Sequence, residues 1–448
     1  MSSHIANTHI VVFVKLHLQN IINRSPMNFQ KRYYTISIGL SICVLLETLA
    51  LTYMQQNGAT FYYSSSILYF MAGLGICLIP LIPLHKESKS ISANKYTNQV
   101  IPYLGVLFLL ALIVFHVIRL KSLYSNIGID KKWADMLPTI ELACQRFLQG
   151  KNVYGSAPEI WDTAIIPYLP LMWVPFLPAI VFDFDLRWIT LIVQLLGIAL
   201  ILKPILVRKK TVPFIPSIIA GLGLFLLLNF FLYKNTTYWS MTEEGIVAGF
   251  YLLLSYSLLR GNYWMIGLAI TGCTLSRYSL LFWIPIYFAF IFFTKPRLDF
   301  GKLFLSYAVS MLLLFILPYF IKDPSYFINI PIGYSKLVPN FWVHSKIDEH
   351  LLYNVGLFKF FNVASLHLMP TLEVITSFLA PLLFSLIVWR LKNKYPLNER
   401  YISYISLKIS LIFFFGFIQM PYMYIFVPVT LISYLLLFDY LAIQDTKD

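Results

Sequence analysis

Apolar runs of about 20 residues, the length that crosses a bilayer as a helix, alternate along this chain with short charged stretches. The runs Tyr34–Met54 and Phe61–Leu84 form a first hairpin, joined by the short Gln55–Thr60 turn. Val100–Leu120 follows, and then a long polar segment, Lys121–Thr163. Next come Ala164–Phe182, Arg187–Leu206, Val212–Leu232 and Gly245–Leu259, and a run of about thirty residues, Tyr263–Phe293, interrupted by Arg277. Leu303–Ile321 leads into a second long polar segment, Lys322–Met369, and Leu372–Trp389, Ile402–Ile418 and Tyr422–Phe438 close the pattern. The pattern predicts an all-α polytopic membrane protein with about 10–13 spans.

Composition strengthens this picture. Of 448 residues, 58% are hydrophobic and only 12% charged, against about 25% charged in soluble domains. So much apolar surface calls for lipid as its solvent. The aromatic share of 17% suits Tyr and Trp at the headgroup level. A net charge of +14 does not point to nucleic acid, because the basic residues sit in short loops between apolar runs. That is the positive-inside pattern, with membrane lipids as neighbours.

The charge rule orients the chain. The basic N-terminus (Lys15, Arg24, Lys31, Arg32), the loop of Lys86, Lys89 and Lys95, the Lys295–Lys302 loop and the Arg390–Arg400 loop are expected on the cytoplasmic side. Both long polar segments then fall outside. One stretch resists: if Ala164–Phe182 spans fully, Arg208, Lys209 and Lys210 land outside. A re-entrant 164–182, or two short helices within 263–293, would mend the signs. No internal repeat of the transporter kind is visible, and no cleavable signal peptide. Met27, directly ahead of the basic run, is an alternative start. The four cysteines have no metal-ligand spacing and read as small buried hydrophobes.

The first outer segment carries the candidate chemistry. Residues Trp133–Gly150 read as a juxtamembrane helix, with Pro138 in its first turn and Gly150 as its C-terminal stop. Ile140, Ala143, Cys144, Phe147 and Leu148 share one face, which is expected to lie on the membrane surface. Asp135 just ahead of it admits two readings. It caps the helix, where the N-terminal partial charge favours an acid, or it is a general base that takes a proton from an acceptor hydroxyl. Asp130 is a second candidate for the base.

Asp135, the helix behind it, Gly150-Lys-Asn-Val-Tyr154, Tyr168-Leu-Pro-Leu-Met-Trp-Val-Pro175 and Asp185-Leu-Arg187 together resemble the opening module of GT-C glycosyltransferases. The likeness is greatest to bacterial polyprenol-phosphate-mannose-dependent mannosyltransferases. It covers about residues 100–200; the remainder matches only in hydropathy layout. The resemblance implies a GT-C-like helix bundle, Asp135 as catalytic base, a polyprenyl-phosphate sugar as donor, and transfer on the non-cytoplasmic face to a lipid or glycan acceptor. Tyr154 and Tyr168 fall within the motifs and are candidates for substrate contact. Two departures matter. No Asp-x-Asp pair surrounds Asp135, since Asp183-Phe-Asp185 lies elsewhere and reads as a turn, so no divalent metal and no other cofactor is expected. Two spans also precede the family-like first helix.

Further charges lie within apolar stretches. Arg277 costs about 2.5–3.5 kcal/mol at a helix centre, so it faces a polar partner. It binds the donor phosphate or marks a break between two short helices. Arg187 is a second phosphate candidate. Glu243 and Glu244 sit either in a helix first turn capped by Thr242 or against sugar hydroxyls beside Trp239. Glu47 is expected to pair within the bundle. In the second outer segment, Trp342 and His344 suit a sugar or headgroup surface, with Tyr334, Lys336, Lys346, Asp348, Glu349 and His350 around them.

The resulting expectation is an inverting membrane glycosyltransferase of a bacterial cytoplasmic membrane. It comprises a cytoplasmic segment (1–33), an extra hairpin with a basic inner loop (34–99), a catalytic membrane module (100–321, outer loop 121–163), a second outer loop (322–369) and C-terminal helices (370–448). Two other classes fit the same layout: an O-antigen polymerase or ligase, and a lipid or solute transporter.

Overall fold

The computed structural model describes residues 29–56, 58–82, 97–130, 134–154, 166–207, 213–230, 241–328, 355–357, 360, 368–392, 397, 399–418 and 423–442. Helices and turns make up the described residues, with no strand among them. In chain order the helices are α1 (Phe29–Gln56), α2 (Gly58–Leu78), α3 (Thr97–Asn126), α4 (Met136–Leu148), α5 (Pro170–Trp173), α6 (Leu177–Val181), α7 (Arg187–Val207) and α8 (Phe214–Asn229). They continue as α9 (Glu244–Arg260), α10 (Tyr263–Thr274), α11 (Trp283–Thr294), α12 (Arg297–Met311), α13 (Met369–Leu391), α14 (Glu399–Gly416) and α15 (Val427–Leu441). Among the described residues, six stretches are long and apolar enough to cross a membrane: 32–52, 63–81, 187–206, 297–320, 370–391 and 424–441. This is an all-α membrane protein.

The bundle closes around α15. Every residue of α15 is buried, as expected of a helix that is apolar on all sides. It packs against α1, α7, α8, α9 and α14. Outer helices show the opposite pattern: Leu107, Leu110, Val114 and Ile118 of α3 and Leu305, Val309 and Leu313 of α12 with its extension are exposed. Apolar side chains that water would penalise are at no cost in lipid.

Glycines set the closest approaches. Gly245 and Gly249 of α9 form a small-xxx-small pair. A Cβ on Gly245 would lie 2.4 Å from Thr190 Cγ2, and one on Gly249 2.3 Å from Val193 Cγ1, so α9 meets α7 nearly backbone to backbone.

Pairings along the helices define two faces. At one, the Tyr33 hydroxyl near the start of α1 donates to Leu441 O (2.7 Å), and Arg260 at the end of α9 reaches Asp439 near the end of α15 (3.5 Å). At the other, Tyr124 near the end of α3 donates to Arg187 O (3.2 Å). There too Leu357 N donates to Gly416 O (2.6 Å), and the Tyr424 hydroxyl lies 3.6 Å from Met136 Sδ. The second face carries α4 and is called here the α4 face.

Two runs depart from simple crossings. Residues 166–186 do not form a span: α5, a 3-10 turn at Val174–Phe176 and α6 make a broken segment on the α4 face. Pro167, Pro170, Pro175 and Pro178 remove backbone donors within one short stretch. The run 263–293 breaks at Arg277 into α10 and α11, which are antiparallel to each other. α10 runs parallel to α12, with Thr271 bonded to Ser310 (2.6 Å) and Ser306 to Trp264 O (2.7 Å). α11 runs antiparallel to α12, with Phe288 on Tyr307 and Phe292 on Phe300. α12 continues as a nine-residue π-helix, Leu312–Phe320, around Pro318.

These departures settle the charge conflict. With 166–186 kept on the α4 face, the helix ends flanking Arg208–Lys210 lie at the same face as Tyr33, Arg260, Lys295, Arg297 and Arg390. The basic connections thus share one face.

α4 ends as the sequence predicts. Gly150 takes φ +66, Gly150 N donates to Phe147 O (3.0 Å) and Lys151 N to Arg146 O (2.9 Å), a Schellman stop. Its apolar face, however, does not lie on lipid. Leu137, Ile140, Ala143 and Cys144 pack on Trp173, Phe176 and Ala179 of the broken segment, while Phe147 and Leu148 of the last turn stay exposed. Cys144 is packed as expected, its thiol donating to Trp173 O (3.3 Å); burial pushes its pKa up to about 12, so it is inert.

Candidate functional site

The site is built where the α10–α11 break meets the start of α9. α10 ends at Thr274, and Arg277 follows in extended backbone (φ −150, ψ 148). Two ties hold this break. Leu171 N at the start of α5 donates to Leu275 O (3.0 Å), and Ser279 bonds the Tyr251 hydroxyl of α9. Arg277 is thereby aimed at the first turn of α9, where it bonds Glu244 Oε1 and lies 3.5 Å from Glu243 Oε1.

Burial at this junction is deep. Glu243 and Glu244 side chains are 1% and 0% exposed, and Arg277 is 17% exposed. Glu243 occupies the cap position without a side-chain capping bond, and Thr242 Oγ1 only accepts from Glu244 N at 3.5 Å. Glu244 thus sits in the helix first turn as the sequence reading has it, and both acids pair with Arg277. Burial pushes the Glu243 carboxyl up from its ordinary value, Arg277 opposes the rise, and the charge of Asp135 adds to it.

That last effect places Asp135 within electrostatic reach of the cluster. Asp135 stands at the N-cap of α4 and makes no side-chain capping bond there. Its carbonyl accepts from Thr139 N (3.1 Å) and Thr139 Oγ1 (2.6 Å). Asp135 is thus the N-cap residue that the sequence reading allows, with its backbone carbonyl making the bonds to Thr139. The structure brings Glu243, Glu244 and Arg277 to one junction, and Asp135 stands at the head of α4 on the same face.

The other candidates lie elsewhere. Arg187 is not placed to hold a donor phosphate. Its Nε bonds both oxygens of Asp185 (2.8 and 3.0 Å), Nη1 donates to Ile127 O (2.7 Å), Nη2 to Tyr124 O (3.2 Å), and its guanidinium lies 4.2 Å from the Tyr124 ring centroid. With its donors spent, Arg187 ties the end of α3 to the start of α7. The turn before it matches the sequence reading: Asp183 takes φ 51 and Asp185 Oδ1 accepts from Arg187 N.

Tyr154 is likewise a packing residue, 8% exposed. Its ring meets Tyr319, Tyr326 and Phe327, and its hydroxyl accepts from Trp173 Nε1 (3.3 Å). Tyr168 packs half-buried against the same aromatic core. Asp130 is half-buried in the turn before α4, its carbonyl accepting from Ala134 N (3.4 Å). Trp239, Trp342 and His344 lie outside the described residues.

Arg277 also changes role. Its guanidinium is engaged by the two acids. Four buried polar atoms of this junction have no partner among the described residues: Glu243 Oε2, Glu244 Oε2, Arg277 Nε and Thr190 Oγ1 of α7. Thr190 escaped the sequence reading, because a threonine near the start of an apolar helix is unremarkable. Its signal is Gly245, which lets α7 approach the Glu pair. Among the described residues, no three His, Cys, Asp or Glu side chains gather as a metal site.

No family model, curated protein or solved structure matches the chain.

Proposed function

We propose that this chain is a GT-C-type membrane glycosyltransferase that moves a mannose-like hexose from a polyprenyl phosphate to a lipid or glycan acceptor. The observation that carries the reading is the position of Asp135. It heads a helix on the face of the bundle that also holds the buried Glu–Glu–Arg junction.

The mechanism follows from the groups at hand. Asp135 takes the proton of an acceptor hydroxyl as that oxygen attacks the anomeric carbon. The bond from that carbon to the phosphate oxygen breaks, and the lipid phosphate leaves with the electron pair. One in-line displacement inverts the centre. Since the basic connections share the opposite face, the charge rule puts that face in the cytoplasm and Asp135 outside. The membrane is then a bacterial cytoplasmic membrane. The exposed apolar flanks of α3 and α12 are compatible with a donor that arrives through lipid.

Asp135→Asn tests the reading. In purified full chain reconstituted into nanodiscs and given polyprenyl-phosphate mannose, transfer should fall about 10²–10⁴-fold with the unfolding midpoint unchanged. Retained turnover overturns the assignment. Preference for pyrophosphate-linked donors would favour a polymerase or ligase instead.

A further inference from the structure

The geometry points to a neutral polyol subsite at the junction of α7, α9 and the α10–α11 break, formed by Thr190, Glu243, Glu244 and Arg277. Buried polar groups are almost always hydrogen-bonded, and leaving one unmet costs stability. Here four such atoms lack partners among the described residues, on residues that touch or adjoin one another. Thr190, Glu243 and Glu244 are 2%, 1% and 0% exposed. Thr190 lies against Gly245, the residue after the Glu pair, and Arg277 bonds that pair.

The mixture of unmet atoms selects the ligand. Two carboxylate oxygens accept, the guanidinium Nε donates, and the Thr190 hydroxyl does both. A phosphate brings only acceptors in its ionised form and meets two acids. An ammonium group brings only donors and meets Arg277. A divalent cation needs several acidic ligands around one point, a grouping that does not form among the described residues. Sugar hydroxyls donate and accept together, so a vicinal diol can bridge the two Oε2 atoms while a ring or hydroxyl oxygen takes Arg277 Nε. The subsite deepens the transfer reading, on which it rests for the expectation that the polyol is the hexose being moved.

The test uses full chain in nanodiscs and four probes: methyl α-mannoside, inorganic phosphate, ethanolamine and Mg²⁺, each read as a shift of the unfolding midpoint. Methyl α-mannoside should stabilise the protein and the other three should not. Thr190→Val, which keeps shape and removes the hydroxyl, should weaken the mannoside about five- to tenfold, and Glu243→Gln should do at least as much. Asp135→Asn should lose transfer yet keep the mannoside shift, so loss of one reading is told apart from loss of the other. The inference is overturned if no sugar shifts the midpoint, if phosphate, ethanolamine or Mg²⁺ does so in its place, or if Thr190→Val binds the mannoside as the parent does.

Discussion

Glu47 and Lys408 meet at 2.5 Å with neither side chain exposed, whereas Arg277 keeps part of its side chain open beside two acids. In the first pair the cation is fully bonded, although Glu47 Oε2 has no partner among the described residues. Lys408 Nζ also donates to Val429 O and Ser433 Oγ, each at 2.6 Å, so all three of its donors are used. It fastens the α1–α2 hairpin to α14 and α15. The second cluster has one cation for two carboxylates and several unmet atoms. A charge in a low-dielectric interior is tolerated when its bonds are complete. One cation for one carboxylate, with every donor of the cation used, reads as architecture; one cation for two carboxylates, with its own Nε unmet among the described residues, reads as readiness for a ligand.

The comparison can be broken by mutation. Lys408→Met leaves Glu47 without its cation, and a loss of about 3–5 kcal/mol is expected, read by unfolding in mixed micelles. Adding Glu47→Met should recover most of it, because an apolar pair replaces a buried ion pair at little cost. Arg277→Met should cost less, about 2 kcal/mol, since its surroundings are partly open and Glu243 can hold a proton. A cost equal to or above that of Lys408→Met would end the distinction between the two clusters.

The smallest effect concerns pH. Burial raises the Glu243 carboxyl above its ordinary 4.5. A folded-state value above the unfolded one gives stability that is complete below the ordinary carboxylate range and is lost as pH rises through the raised value. The parent should therefore lose stability over that interval with a slope of at most about 1.4 kcal/mol per pH unit. Glu243→Gln should flatten it. An unchanged slope in melting experiments would place the titration on another group.

The spans were legible because lipid imposes a length on each apolar run, and α1, α7, α13 and α15 follow theirs closely. Hydropathy left 164–182 open between a span and a re-entrant stretch, since it weighs apolarity and is blind to the missing donors of four prolines that stop a helix from forming. It likewise left 263–293 open between one run and two short helices, with Arg277 marking the break. Asp135 and the Glu pair could be picked out as acids in unusual places, but their sharing of one face depends on where α9 and α4 lie in the bundle, which no local pattern encodes. Lys408 was overlooked as the partner of Glu47. A lone lysine inside the apolar run 402–418 is a signal that an intramembrane acid has a counter-ion. Arg187 misled because a basic residue at a helix start serves packing as well as it serves an anion.

The wholly enclosed α15 has a consequence for how the molecule comes into being. It leaves the ribosome after every helix it touches, so α1, α8 and α9 must wait in the membrane with their inward sides unfilled. Tyr33, Thr48 and Tyr69 bond residues of α15, and those bonds cannot form before α15 arrives. Assembly is thus held open until late in synthesis, and a ribosome that stalls before residue 427 releases a chain whose centre is missing.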